Sequence, residues 1–273
     1  FAWVNGAMGL VYPRGDTYFT SPDTSSLLGR ITVRDAKDSV PKVTTRTVRV
    51  LDNEEGGFAV AGRFLRCEGK VAQDAAMVSL PSGPVLYLER LTALEDVTLE
   101  EAATGTFVIL NEDAPPLACN RRILTTGEGT REVPGRADIP DETFVLATPF
   151  ADVDGELVVR TAPAGQMRYL ARHSYWASRL DQELAAFYTG GPVSIPAGRS
   201  FSERALAAFT SSDAQKAQEP TLMRFGAPVL AVEAAGRLVA VNFGNSPVKL
   251  SRFGSEQTLE PYGVSVWTIP QTP

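Results

Sequence analysis

The stretches FAVAGRFL (58–65), KVAQDAAMVSL (70–80) and PVLYLERL (84–91) decide the fold class of this chain. Each is rich in apolar residues that partly alternate with polar ones, and a period of two is the pattern of a β-strand. The breaks between them contain Glu68-Gly69 and Pro81-Ser82-Gly83, and glycine and proline favour tight turns between strands. We therefore predict strands joined as hairpins through this part of the chain.

The same pattern extends in both directions, and helical periodicity is rare. The last part of the chain predicts four short strands in a meander that closes a sheet edge. Only WASRLDQELAAFY (176–188) has apolar residues at the spacing of an amphipathic helix, and SERALAAF (202–209) fits a short helix or a strand. The further predicted strands cover 29–33, 43–50, 107–110, 143–148, 156–160, 166–173, 228–232, 238–243, 248–251 and 264–269.

This pattern predicts an all-β fold: a large antiparallel two-sheet sandwich with one or two short helices. The Pro- and Gly-rich stretch TGGPVSIPAGR (189–199) is the candidate domain boundary. It would separate a main β-sandwich, 1–190, from C-terminal strands, 191–273, that complete or follow it. A long crossing loop inside a single domain fits the same stretch.

Composition excludes several classes of function. The chain has 273 residues, with 26 Lys and Arg against 32 Asp and Glu, giving a formal net charge of −6. This balance argues against nucleic-acid binding, which requires a basic face. No stretch approaches the roughly 20 apolar residues of a membrane span. The chain begins Phe1-Ala2-Trp3, without Met or a signal sequence, so we expect a mature form or a piece of a longer protein.

Cysteine and histidine are scarce. The two cysteines, Cys67 and Cys119, leave a disulfide and two separate thiols equally open. With His173 as the single histidine, a zinc site of His and Cys ligands is not expected. The acidic stretches 111–113 and 152–155 suit turns better than a calcium site. We therefore predict no metal and no cofactor.

The stretch RYLARHSYW (168–176) carries the candidate site. On a strand, His173 and Tyr175 would share a face and could act as general base and general acid. A nearby arginine could bind a substrate carboxylate, as in β-elimination from a uronate. The alternative is an edge strand whose aromatic residues pack beneath the next element. The candidate catalytic residues are His173, Tyr175 and Arg172, and the candidate substrate-binding residues are Arg168, Tyr169 and Trp176.

A glycosidase-type carboxylate pair is harder to find in the sequence. Glu89 lies among apolar neighbours in LYLER (86–90), where burial would raise its pKa. Adjacent Arg90 and the acids Glu95 and Asp96 favour instead a sheet edge with solvated charges. Two catalytic acids meet only in the folded protein, so their spacing in the sequence does not identify them.

Two stretches resemble a known group of proteins. GPVLYLERL (83–91), followed by DVTL (96–99), resembles a segment of the large β-sandwich modules of carbohydrate-active enzymes. VAVNFGNSPV (239–248), followed by LEPYGV (259–264), resembles their terminal strands. In heparinase-like and hyaluronate-lyase-like polysaccharide lyases and related glycoside hydrolases, such a super-sandwich follows a helical toroid.

The resemblance implies a super-sandwich module of a secreted or periplasmic enzyme that acts on a polysaccharide or oligosaccharide. A helical catalytic domain of the same parent protein would be its partner. Heparinase-like lyases usually draw several histidines from the sandwich, and this chain has one. The alternatives are a self-sufficient polysaccharide lyase, cleaving uronate-containing glycan at His173 and Tyr175, and an extracellular structural or adhesion domain.

Overall fold

The fold is described from a computed structural model of the chain. It describes the backbone of the strands named below together with residues 30–36, 57–80, 84–104, 192–211, 220–226 and 228–270. It describes the side chains of residues 31–36, 44, 57–80, 84–102, 192–205, 207, 220–226 and 228–270.

The described backbone is almost entirely β-structure, which confirms the predicted fold class. A single turn of 3-10 helix, Cys67–Gly69, joins two strands. The strands are β1 (Ala2–Val4), β2 (Ala7–Val11), β3 (Thr17–Tyr18), β4 (Arg30–Val33), β5 (Lys42–Leu51), β6 (Gly57–Arg66), β7 (Val71–Ser79), β8 (Val85–Ala93), β9 (Val97–Thr104), β10 (Phe107–Ile109), β11 (Arg121–Thr126), β12 (Gly129–Pro134), β13 (Val145–Pro149), β14 (Glu156–Ala162), β15 (Arg168–Ser174), β16 (Arg179–Ala185), β17 (Phe187–Thr189), β18 (Val193–Ile195), β19 (Ser200–Ser211), β20 (Thr221–Arg224), β21 (Val229–Ala234), β22 (Arg237–Asn242), β23 (Val248–Arg252), β24 (Ser255–Leu259) and β25 (Val264–Thr268).

The assigned strands form sheets of different size. The largest is antiparallel, in the order β12-β11-β13-β14-β19-β8-β7-β6-β5, and is called here the nine-stranded sheet. A second sheet contains β1, β2, β10, β16 and β15 in that order, with β3 paired to β2. A third has β9 between β17 and β18, with β4 also paired to β9. The order β20-β21-β22-β25 forms the C-terminal sheet, and β23 pairs with β24 as a separate hairpin.

The C-terminal sheet packs on one face of the nine-stranded sheet. Strands β6, β7 and β19 contribute mainly alanines to this contact, whereas β8 contributes Leu86 and Leu88. The C-terminal sheet contributes Leu230, Val232 and Val239. Small side chains on one sheet and larger ones on the other allow close packing. Each fully buried Leu or Val stabilises the fold by about 1.5–3 kcal/mol.

The opposite face of the nine-stranded sheet packs on the third sheet. Val71 of β7 and Leu91 of β8 contact a buried cluster that includes Ile31 of β4 and Leu99 of β9. On its outer side, the C-terminal sheet is covered by the β23–β24 hairpin through a further apolar cluster that includes Trp267. The described part of the molecule is therefore a stack of β-layers.

The helix predicted over 176–188 is wrong. This segment contains the strands β16 and β17, with β16 paired to β15 and β10, and β17 paired to β9. Segment 202–209 lies within β19, between β14 and β8. Pairing on both sides of β16 and β19, and of β17 with β9, satisfies backbone groups of these segments and overrides a helical spacing of only a few apolar residues.

The C-terminal meander also differs from the prediction. Strand β23 leaves the sheet and pairs with β24, so that β25 is the strand beside β22. The boundary predicted after residue 190 stays a prediction. Beyond it, β18 and β19 still pair with strands of the earlier sheets before the chain enters the C-terminal sheet.

Candidate functional site

Strand β15 carries Arg172 and His173, as the sequence predicted for 166–173. Strand β15 pairs antiparallel with β16, with His173 opposite Leu180 and Arg172 opposite Asp181. Among the assigned strands, β15 lies at the end of its sheet. The side chains of this strand lie outside the described residues, as do Tyr175 and Trp176 entirely. The proposed roles of His173, Tyr175, Arg172, Arg168, Tyr169 and Trp176 therefore stay predictions.

Cys67 is a buried thiol and not half of a disulfide. Its Sγ donates a hydrogen bond to the carbonyl oxygen of Ile31 at 3.3 Å. The disulfide with Cys119 that the sequence left open is therefore not formed. Cys119 itself lies outside the described residues.

Five polar side chains lie together on the face of the nine-stranded sheet that also carries Leu91. We call them the Glu89 cluster: Arg66, Gln73, Tyr87, Glu89 and Arg204. Gln73 Nε2 donates to Glu89 Oε2 at 2.5 Å, and Tyr87 Oη donates to the same oxygen at 3.1 Å. Arg66 Nη1 donates to Gln73 Oε1 at 3.0 Å. Arg204 of β19 lies directly opposite Glu89 in the strand register.

Burial decides the chemistry of the Glu89 cluster. Glu89 and Arg66 are both 0% exposed. Burial, together with the charge of Glu89, raises the pKa of Tyr87 well above its ordinary value, so Tyr87 stays a protonated donor. The pKa of Arg204 is lowered, chiefly by burial and next by the positive charge of Arg224. The negative charge of Glu89 acts in the opposite direction and raises it. A buried set of opposite charges joined by hydrogen bonds stabilises one strand register.

The interpretation of Glu89 and Arg90 as solvated charges at a sheet edge is wrong. Strand β8 lies between β7 and β19, so neither of its edges is free. Its two faces pack on the C-terminal sheet and on the third sheet. Glu95 and Asp96 are exposed, as expected. The sequence held a better signal in the adjacent pair Gln73-Asp74, because two polar neighbours inside an apolar strand face opposite sides and both require buried partners.

A second polar group joins the nine-stranded sheet to the C-terminal sheet. Asp74 Oδ1 and Oδ2 accept from Arg63 Nε at 2.7 Å and from Arg63 Nη2 at 2.9 Å. Tyr262 Oη donates to Asp74 Oδ1 at 2.8 Å across the interface. Hydrogen bonding to Asp74 raises the pKa of Arg63, although burial opposes it. Burial, followed by the charge of Asp74, raises the pKa of Tyr262.

Arg90 and Glu203 extend this contact between the sheets. Arg90 Nε donates to Glu203 Oε1 at 2.9 Å, and Arg90 Nη1 donates to the carbonyl oxygen of Pro228 at 3.0 Å. Arg224 Nε donates to Glu203 Oε2 at 2.5 Å. The guanidinium of Arg90 also lies 5.8 Å from the centroid of the Phe243 ring. We call this group the interface clamp: Arg63, Asp74, Arg90, Glu203, Arg224 and Tyr262.

The resemblance motifs NFG (242–244) and PYG (261–263) have structural roles in this region. Asn242 Nδ2 donates to the carbonyl oxygens of Ser246 and Leu259 at 2.8 and 3.0 Å, which joins two loops. A Cβ at Gly263 would lie 2.7 Å from the backbone oxygen of Glu260, so only glycine fits there. These residues hold Tyr262 against Asp74.

Further observations limit the chemistry available in the described residues. No group of His, Cys, Asp and Glu side chains that could hold a metal ion occurs in the part of the chain whose side chains are described. None of the helical segments described is long and apolar enough to span a membrane. The exposed large hydrophobic side chains among the described residues are Leu94, Val193 and Phe253.

Comparisons with known proteins found similar structures but no related sequence family. No protein-family model matches the chain, and no curated protein matches it. The galactosidase domain of the α-galactosidase–sucrose kinase AgaSK is similar at 11% identity and a TM-score of 0.43, over 76% of this chain. The GH36 α-galactosidase AgaB from Geobacillus stearothermophilus is similar at 10% identity and a TM-score of 0.47, over 68% of this chain. Heparinase III is similar at 9% identity and a TM-score of 0.41, over 88% of this chain.

These structural neighbours are carbohydrate-active enzymes, as the sequence resemblance implied, and the similarity is low and partial. The chain spans 30%, 30% and 29% of the length of those three proteins. Each is a protein to which part of this chain is similar in fold.

Proposed function

We propose that this chain is the β-sandwich module of a secreted or periplasmic carbohydrate-active enzyme and supports a helical catalytic domain that acts on polysaccharide. One observation carries the proposal: the two sequence stretches that resemble such modules face one another in the core. Leu86 and Leu88 of the first stretch belong to the same buried cluster as Val239 and Val241 of the second. The resemblance therefore lies in the packed centre of the fold.

The interface clamp supports the role of a rigid module. Three of its contacts join the nine-stranded sheet to the C-terminal sheet: Arg224 with Glu203, Arg90 with the carbonyl oxygen of Pro228, and Tyr262 with Asp74. Within the Glu89 cluster, Arg66, Gln73, Tyr87 and Glu89 are buried and form hydrogen bonds with one another. In this proposal the module contributes shape and a glycan-binding surface, while bond cleavage takes place in the partner domain.

A self-sufficient polysaccharide lyase is the second candidate. The strand Arg168–Ser174 at the end of its sheet favours it, because a substrate chain can approach a terminal strand. In this candidate His173 is the base and Tyr175 the acid, with Arg168 or Arg172 on the uronate carboxylate.

A turnover screen of the purified chain tests both candidates. Alginate, hyaluronate, polygalacturonate and the neutral glucan dextran are incubated with the protein, and new reducing ends and the ultraviolet absorbance of an unsaturated uronide are followed. The module proposal predicts glycan binding without turnover. Unsaturated products that disappear in His173→Ala would replace it with the lyase, and reducing ends without the absorbance would indicate a hydrolase. If the chain neither binds nor cleaves any of these glycans, both candidates are overturned for them.

A further inference from the structure

The tip of the β23–β24 hairpin has an unusual residue in a tight turn. Arg252 pairs with Ser255 at the end of the hairpin, so Phe253 and Gly254 form a two-residue turn. Their φ angles are +49° and +76°. Positive φ at both positions is the geometry of a type I′ turn, which favours Asn, Asp or Gly. A phenylalanine at the first position strains the backbone.

The Phe253 side chain lies outside the apolar clusters of the fold. Phe253 is 48% exposed, and the apolar cluster beneath the hairpin uses Leu250 and Leu259 instead. The turn Ala235-Gly236 between β21 and β22 has nearly the same φ angles, +49° and +69°. A methyl group is therefore sufficient for such a turn in this protein. A strained backbone that presents an exposed ring indicates a role outside folding.

The residue that precedes Phe253 in the chain, Arg252, carries a cation at the same hairpin tip. Its guanidinium carbon lies 4.1 Å from the centroid of the Phe225 ring, and Nη1 donates to the carbonyl oxygen of Ser251 at 3.0 Å. No carboxylate of the described residues forms an ion pair with Arg252, whereas Lys249 on the same hairpin pairs with Glu256 at 3.6 Å. Stacking on Phe225 orients the guanidinium while its other N–H groups remain available for a planar anion.

We propose that Phe253 and Arg252 form a binding subsite for a uronate-containing polysaccharide. The exposed ring of Phe253 stacks on the C–H face of a pyranose, and the Arg252 guanidinium binds the carboxylate of the same or the next sugar. The subsite rests on the proposed function, because it supplies the glycan-binding surface of the module and specifies an acidic glycan as its ligand.

The surroundings of Phe253 favour a sugar over a protein partner. The exposed neighbours on the hairpin are polar, namely Lys249, Ser251, Ser255 and Glu256. A stable protein interface needs a contiguous apolar centre. A single ring surrounded by polar groups suits a hydroxylated sugar chain, which stacks one face and forms hydrogen bonds at its edges.

Titration calorimetry of the full chain tests the subsite with oligosaccharides of alginate, hyaluronate and polygalacturonate, and with dextran oligosaccharides as the neutral probe. We expect Phe253→Ala to weaken uronate binding about tenfold, the upper end for one aromatic contact. Arg252→Gln should weaken binding of the uronate oligosaccharides and leave dextran unaffected. Leu94→Ala is the matched control, because Leu94 is 42% exposed and lies outside the hairpin; binding should not change.

Phe253→Asn separates binding from folding. Asparagine suits the first position of a type I′ turn, so this variant should raise the urea midpoint of unfolding while it weakens binding as Phe253→Ala does. A structural role for the ring would instead lower the midpoint and leave the binding of the folded protein unchanged, which would overturn the subsite.

The remaining outcomes distinguish the subsite from the proposed function. Uronate binding that survives both Phe253→Ala and Arg252→Gln would overturn the subsite alone. Equal binding of dextran, insensitive to Arg252→Gln, would overturn its acidic specificity. Absence of any binding by the unaltered chain would overturn the subsite together with the module proposal for these glycans. Self-association that Phe253→Ala abolishes, without glycan binding, would identify the tip as a protein contact and overturn the subsite.

Discussion

The two faces of the nine-stranded sheet are both buried, but they are built from different chemistry. The face toward the C-terminal sheet is lined by small apolar residues such as Ala61 and Ala76, with the interface clamp among them. The opposite face carries the Glu89 cluster, in which charged groups lie next to Val71 and Leu91. The first face therefore meets its partner sheet through small side chains and the polar contacts of the clamp, and the second surrounds a buried carboxylate with donors from its own sheet.

This difference shows which substitutions each face should tolerate. The alanine-lined face is sensitive to added volume, because the distance between it and the C-terminal sheet is fixed by their close packing. The face that surrounds Glu89 is sensitive to the loss of that carboxylate, because its buried donors then lack an acceptor in a site closed to water. The following predictions test this contrast.

Loss of the central carboxylate should have the largest effect. We expect Glu89→Ala to reduce the free energy of unfolding by about 3–5 kcal/mol, because Gln73 and Tyr87 lose their shared acceptor and the buried charge of Arg66 loses its balancing anion. Urea unfolding followed by fluorescence measures it. Glu95→Ala, at an exposed glutamate, is the control and should stay within about 0.5 kcal/mol of the unaltered chain. If Glu89→Ala and Glu95→Ala lower the free energy of unfolding by the same small amount, the cluster is not a source of stability.

High pH should destabilise the protein through tyrosines on both faces. The pKa values of Tyr87 and Tyr262 are raised in the folded state, chiefly by burial, while unfolded tyrosines lose their proton near about pH 10. The stabilisation is thus complete below that pH and is lost as the pH rises toward the folded pKa values. We expect a loss of about 1.4 kcal/mol per pH unit for each tyrosine.

Urea unfolding between about pH 9 and pH 11 measures this slope. Tyr262→Phe removes one of the two titrating hydroxyl groups, so the free energy of unfolding should fall less steeply with pH than in the unaltered chain. An identical slope in that variant would contradict the raised pKa of Tyr262.

Added volume should disrupt the apolar face. Ala76 is completely buried in the contact with the C-terminal sheet. We expect Ala76→Leu to cost about 1–3 kcal/mol, because the two sheets cannot move apart without breaking the clamp. Thr258→Leu adds a similar side chain at an exposed strand position and should leave stability nearly unchanged. A stability gain in Ala76→Leu would mean that the face contains unfilled space.

The smallest effect should come from the hydrogen bond that crosses the clamp. Tyr262→Phe removes the donor to Asp74 and should cost about 1 kcal/mol in urea unfolding near neutral pH. A double-mutant cycle with Asp74→Ala should give a coupling energy of at least about 0.5 kcal/mol. Additive effects would show that the two side chains act independently.

The period-two pattern predicted much of the fold because it depends on neighbouring residues. The strands over 58–65, 70–80 and 84–91 correspond to β6, β7 and β8 with small shifts at their ends. The prediction failed at 176–188, where a few apolar residues fit a helical spacing while the structure has β16 and β17. Partners distant in sequence decide that segment, and a local pattern does not contain them.

The Glu89 cluster shows the same limit for a candidate site. Glu89 was recognised as an acid among apolar residues, but its burial depends on the central position of β8 in the sheet and on the layer packed over this face. Gln73 lies two register positions from Glu89 across the sheet, although the two are 16 residues apart in the chain. The roles predicted for His173 and Tyr175 stay predictions, since their side chains lie outside the described residues.

By itself, the sequence determined the all-β class, most strand positions in the described segments and several of the turns, since alternation and turn residues act over a few positions. Only the tertiary structure decided which strands are central, which charges are buried and which aromatic ring remains exposed. Phe243 and Phe253 are ten residues apart, yet one packs beneath Arg90 and the other lies at a hairpin tip. The reason is physical: burial is a property of the contacts between layers, and these contacts join residues far apart in the chain.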